Sequence, residues 1–135
     1  MAAFSVSLVT PERILFEGEA EMVTMRSGGG DIAFLANHEP YVSTVEIGLV
    51  RIDLADGEKQ RFAAHGGFVE VDEGTVVVLS GVAERADEID VARATSDLAD
   101  QQKRLSGMKQ DDPDYPGQRA RVERAAARAF VASRR

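Results

Sequence analysis

The chain has 135 residues, 44% of them hydrophobic, and a net charge of −7. That length suits one ordinary domain or a small domain with an appendage, and the apolar share supports a real core and excludes wholesale disorder. There is no cysteine, which excludes disulfides and thiolate metal sites.

The N-terminus, MAAFSVSLVTPER, lacks a basic leader and alternates apolar with polar residues, so it reads as a strand and not as a signal peptide. Phe4, Val6 and Leu8 share one face. Val50, Ile52 and Leu54 repeat the period of two in VRIDL. Between such runs stand the turn signals FEGE, SGGGD, ADGE, HGG and DEGT. LADGEKQRF predicts a hairpin, because Asp56-Gly57 supplies the positive φ of a tight turn. GGFVEVDEGTVVVLSG predicts a second. The expected fold of residues 1–84 is an antiparallel β-sandwich or flattened barrel of about ten short strands.

After Gly81 the period changes. Residues 87–106 contain no Gly or Pro, and Val91, Ala94, Leu98 and Leu105 fall near a seven-residue repeat. SGMKQDDPDYPG then breaks the pattern. QRARVERAAARAFVASRR is helical again, with Val122, Ala126, Ala129 and Ala132 or Ser133 on one side. Residues 85–135 therefore predict an antiparallel two-helix hairpin. Its apolar positions are mostly alanine and bury little area, so marginal docking on the sandwich is expected, with detachment within reach.

Charge divides at the same place. Residues 1–84 carry 14 acids and 5 bases, whereas residues 85–135 carry 9 acids and 11 bases. An acidic body with a basic tail suggests two parts with different partners. The acidic body argues against nucleic acid, which needs a cationic surface. No apolar run approaches the roughly 20 residues of a spanning helix, so the chain is expected to be soluble and to reach a membrane only through a partner.

The isolated motifs are weak. SGGGD lacks the Gly-Lys-Ser/Thr ending of a phosphate loop. His38 and His65 have neither a fixed pairing nor a nucleophile elbow nearby, and each reads as a turn residue bonded to backbone. In HGGFVEV the glycines permit a bulge or close backbone approach, while Phe68, Val69 and Val71 pack. Arg121, Arg124 and Arg128 share a helical face.

Three segments, LVTPERILFEGEAEMV, GDIAFLANHEPYVSTVEIGLVRI and HGGFVEV, occur in order before a helical hairpin. Together they resemble the epsilon subunit of bacterial F-type ATP synthase over essentially the whole chain. The resemblance implies a noncatalytic rotor subunit of the central stalk. Its sandwich would bind the gamma subunit and sit on the c-subunit ring. Its hairpin would inhibit ATP hydrolysis when extended into the alpha/beta head. It also implies a peripheral place on the cytoplasmic face of the bacterial cell membrane.

By the same resemblance Asp31 aligns with a c-ring contact, and Thr10 and His38 with gamma contacts. Asn37 stands where the family often has Gly, and Asn also tolerates left-handed backbone. Ile89, Asp90, Arg93 and Ala94 match the pattern I/L-D-x-x-R-A of ATP-binding epsilon subunits, with Glu84, Arg124 and Arg128 at the companion positions. Arginine forks suit phosphate, and Ala94 would leave room for a flat base. Without a ligand, Asp90 is simply a favourable helix start that can pair with Arg93. No cofactor is required, and ATP is a candidate regulatory ligand. Against this stand a free-standing β-sandwich module for peptide or sugar with a dimerising hairpin, and an enzyme using His38 or His65. Trp is absent and aromatics are 6%, which weakens the first, and no assembled constellation supports the second.

Overall fold

In the computed structural model, residues 2–134 are described. The strands are β1 Phe4–Val9, β2 Ile14–Ala20, β3 Met22–Ser27, β4 Gly30–Leu35, β5 Tyr41–Asp53, β6 Lys59–Asp72, β7 Thr75–Leu79 and β8 Ala83–Arg85. A 3-10 turn over Ala86–Glu88 leads to α1 Val91–Ser106 and α2 Tyr115–Ala132. The strand order is β2-β1-β7-β6-β5-β3-β4, with β8 added beside β6. The sequence reading of a sandwich followed by a helical hairpin holds, with differences in detail.

There are eight strands among the described residues, because β5 and β6 run to 13 and 14 residues. They pair with each other throughout and serve both layers of the sandwich. The inward phase changes midway along each. In β6 Phe62 and Ala64 face the core first, then Val69 and Val71, so the parity switches between them. In β5 it switches between Val45 and Val50. Gly66 and Gly67 mark the corner with φ of 92° and 148°. HGG is thus a bend inside a strand, as the sequence reading of its glycines suggested, and not a turn between strands. FEGE likewise lies inside β2. One pairing, β1 with β7, is parallel and not antiparallel.

The tight turns follow backbone chemistry. Gly28-Gly29 closes β3–β4 with φ of 63° and 86° at the two loop positions, the left-handed pair that a two-residue hairpin demands. Gly57 adopts φ 89° in the β5–β6 hairpin. Asn37 is left-handed at φ 66°, as expected of Asn in place of Gly.

The main core fills the sandwich with Phe34, Phe62, Leu8, Leu15, Met25 and Ile52, all nearly inaccessible. A second, smaller cluster joins the hairpin to the sheet. It comprises Ala63, Ala86, Ile89, Ala94, Val131 and Ala132, with Leu49 alongside. Ala63 pairs with Leu49 on the outer face of the sheet, and α2 packs over β5 and β6 there. The two helices run antiparallel, joined by Gln118 Nε2 donating to the carbonyl and side-chain oxygens of Gln101 at 3.0 and 2.8 Å. Helix α2 starts at Tyr115, three residues before the expected Gln118. Pro116 sits in the first turn, where its missing N–H is not needed.

Candidate functional site

The segment Glu88–Ala94 does not form a continuous helix start. After the 3-10 turn the backbone extends at Ile89, and α1 begins only at Val91. Asp90 is the N-cap, its carboxylate accepting the Arg93 N–H at 3.0 Å. Arg93 therefore meets Asp90 through its main chain, in place of the side-chain ion pair expected from spacing. Asp90→Ala is expected to cost α1 about 1 kcal/mol. Faster amide exchange in the first turn of α1, with sandwich amides unchanged, is the readout.

Ile89 and Ala94 are 1% exposed and belong to the seam between the hairpin and the sandwich. Ala94 thus packs against protein and leaves no room for a flat base in this conformation. Its small size serves close packing of α1 against the end of α2.

Glu84 and Arg128 are in direct contact. Arg128 Nε and Nη2 donate to the two Glu84 carboxylate oxygens at 2.7 and 3.2 Å. The bond spans from β8 to α2 and ties the hairpin to the sandwich. Asp97 of α1 approaches Arg128 Nη1 at 3.9 Å. The Glu84 hydrogen bond, foremost, raises the Arg128 pKa against the opposing effect of burial. Arg124 lies half-buried one turn earlier on α2. Arg93 is exposed on α1, and the structure does not bring it into the Glu84–Arg128 pair. Arg121 turns its guanidinium to Gln118 Oε1 at 3.4 Å.

A second tie lies at the linker. Arg13 in the β1–β2 turn makes a two-pronged bond to Glu88, both prongs 2.8 Å. The Arg85 main-chain N–H donates to the same carboxylate at 3.0 Å. Arg13, foremost, holds the Glu88 carboxyl at about 2. No local sequence signal pairs residues so far apart.

Thr10 is buried, and its hydroxyl exchanges hydrogen bonds with the Arg13 backbone at 3.2 Å in both directions. The surface of that turn is presented by its neighbours. His38 Nδ1 contacts the Glu39 carbonyl at 2.7 Å, and its ring meets Phe34 and Tyr41. Asp31 is exposed and lies opposite Arg26 in the β3–β4 ladder. It belongs to the strand and does not cap the glycine turn. His65, read as a turn residue bonded to backbone through its side chain, instead lies within β6 with its ring facing Glu84.

The sequence also misplaced Phe68. It is 59% exposed and points away from the core. It opposes Leu79, which opposes Val9, which opposes Ile14. Residues opposed across a ladder share a face. Val42 joins the row two residues from Thr44, the Phe68 partner. One outer face of the sandwich is therefore covered by the hairpin, while the other carries a bare apolar row. The sequence showed that neighbouring Phe68 and Val69 cannot both face inward in a strand, but not which of the two turns out.

Among the described residues no group of three or more histidines or acids is placed to hold a metal. No helix among them is long and apolar enough to cross a membrane.

A family profile described as "ATP synthase, Delta/Epsilon chain, beta-sandwich domain" matches residues 3–86. The "ATP synthase epsilon chain" of Anaeromyxobacter sp. (strain Fw109-5) is 38% identical over 132 residues, 98% of this chain and 99% of that one. The protein of the same name from Desulforudis audaxviator (strain MP104C) is 45% identical over 105 residues, 78% and 76% of the two chains. The fold matches a chain in a cryo-EM structure of the Euglena gracilis mitochondrial ATP synthase, OSCP/F1/c-ring, with a TM-score of 0.84 at 20% identity. That match covers 100% of this chain and 83% of the other. With the profile matched over residues 3–86 and a relative matched along nearly its whole length, this chain belongs to the ATP synthase epsilon chain family.

Proposed function

We propose that the chain is a noncatalytic rotor subunit that binds the gamma subunit through the bare face of its sandwich. The carrying observation is the row Ile14, Leu79, Phe68 and Val42, each 49% exposed or more, with Val9 half-buried among them. A contiguous apolar row on a small domain marks an interaction surface. A peptide- or sugar-binding module offers no comparable account of both faces, since the hairpin already covers the other. The Thr10 turn adjoins Ile14 at the edge of the row, and the His38 loop precedes β5, which carries Val42. Both suit the margin of a gamma interface.

In this reading Asp31, exposed beside the glycine turn, meets the c-subunit ring. The chain then lies peripherally at the cytoplasmic face of the bacterial membrane, held by the complex. The hairpin inhibits ATP hydrolysis when it leaves the sheet and extends toward the alpha/beta head. Its thin seam of alanines, Ile89 and Val131 supports a low cost of undocking. Binding of purified gamma, read by titration, tests the assignment, and absence of binding at micromolar concentrations would refute it.

ATP is the regulatory ligand of this reading, held near Glu84, Arg124 and Arg128. Phosphate oxygens must compete with Glu84 for Arg128, which argues for modest affinity. A ligand at a hundredfold excess over Kd would favour the docked hairpin by about 2.7 kcal/mol. Calorimetric titration with ATP is expected to show binding that Arg128→Ala abolishes. No heat at millimolar ATP would remove the nucleotide site and leave the rotor assignment standing.

A further inference from the structure

His65 lies on β6 at the sandwich corner, under the edge of α2. Its side chain is 5% exposed. Nε2 is 3.6 Å from Glu84 Oε1, just beyond good hydrogen-bond reach. Nδ1 is buried and has no hydrogen-bond partner among the described residues. The charged surroundings come from every neighbouring element. Glu84 faces the ring from β8, with its carboxylate already gripped by Arg128. Arg124 and Arg128 act on it from α2. A groove of about 960 Å³ between α2 and the sheet is lined by His65 together with Arg26, Glu46, Arg51 and Glu123. Asp97 of α1 approaches Arg128.

In the neutral ring one nitrogen carries a proton, and the Nε2–H form directs it toward Glu84. Protonation adds an N–H at Nδ1, where no acceptor stands, and a buried donor without a partner is costly. It also sets a cation beside two arginines. Glu84 favours the charged ring, but Arg128 already holds that carboxylate. Burial, foremost, keeps the His65 pKa below its ordinary value, Glu84 opposes this, and Arg124 and Arg128 lower it further. The groove gives water and protons a route to the ring's surroundings.

We propose that His65 is a proton-operated release for the hairpin: a protonated ring is accommodated when α2 leaves the sheet and disfavoured when it is docked. The idea rests on the reading that the hairpin can undock. The sign follows from linkage. Undocking returns the imidazole to water and to a pKa of about 6.5. Docking is thus at full strength above that pH and weakens as pH falls toward the lower docked value. Within that window the docking constant drops by up to about tenfold per pH unit. The Arg13–Glu88 tie does not titrate there, because Glu88 stays ionised down to about pH 2.

Hydrogen exchange on the full chain at pH 7.5 and 5.5, corrected for intrinsic rates, tests this. Amides of residues 124–131 are expected to open up to about tenfold more at pH 5.5 in the wild type, with β1 and β7 unchanged. In His65→Gln that pH response disappears. The same response in His65→Gln, or none in the wild type, overturns the proposal. Should the variant fold poorly, an NMR titration of the wild-type His65 ring decides: a midpoint below that of free histidine supports the release, and one at or above it overturns it. Opening of α2 that is ready but independent of pH would sink His65 alone. A helix as protected as the core strands at both pH values would sink the movable hairpin as well.

Discussion

Gly67→Ala is expected to lower the urea midpoint of the sandwich by about 2 M, from a loss of about 4 kcal/mol at an ordinary slope. Two effects add at this one position. The backbone φ of 148° is a conformation that side-chain-bearing residues rarely adopt. A Cβ there would also overlap the Leu79 carbonyl oxygen and lie 2.9 Å from Ser80 Cα. Both neighbours are backbone, so no side chain can swing aside. Holding a residue in such a region costs about 1–3 kcal/mol, and overpacking a further 1–3 kcal/mol. Against a total stability of about 5–15 kcal/mol the loss is large.

Gly57→Ala is the control. It too has a left-handed φ, 89°, but nothing lies within 4 Å of its added Cβ. Only the conformational cost remains, about 1 kcal/mol. Equal midpoints for the two variants would show that the close approach of β6 to β7 at the corner is not what demands glycine.

The second large effect is on assembly. Phe68→Glu is expected to weaken binding of the gamma subunit by at least about 30-fold, or 2 kcal/mol, the scale of an aromatic anchor at an interface centre. Phe68 is the largest side chain of the bare row and lies between Thr44 and Leu79. Replacement removes apolar contact and forces a carboxylate to desolvate when the partner docks. The folded chain itself should hardly respond, because Phe68 already points to solvent and exposed substitutions usually stay within about 0.5 kcal/mol. Circular dichroism and thermal melting of the variant check that point before gamma is titrated. A variant with wild-type affinity would mean that gamma does not use this face.

How much of this was legible in the sequence depends on the range of the interaction concerned. Short-range rules identified the hairpin at Asp56-Gly57 and the change of period after Gly81, while the left-handed Asn37 was implied by the family resemblance. Each depends on backbone sterics or on side chains a few residues apart. FEGE, by contrast, looked like a turn and became part of β2, because pairing with β1 outweighs one unfavourable glycine. The length of β5 and β6 was missed for a related reason. The bend at Gly66-Gly67 resembles a chain reversal locally, and only continuous pairing with β5 shows that the strand passes through it.

The site residues divide in the same way. By itself the sequence determined that a sandwich precedes a helical hairpin, that Asp90 favours a helix start, and that Arg124 and Arg128 lie one turn apart. These follow from periodicity and local geometry. Only the tertiary structure decided that Glu84 occupies Arg128, that Ala94 is spent on the seam, that His65 is enclosed with no partner for Nδ1 among the described residues, and that Phe68 faces out. Those outcomes turn on which residues meet across 44 positions of chain for Glu84 and Arg128, and on a parity switch where two long strands change layers. Charge pairing and burial depend on distance in space, and no spacing along the chain encodes that distance.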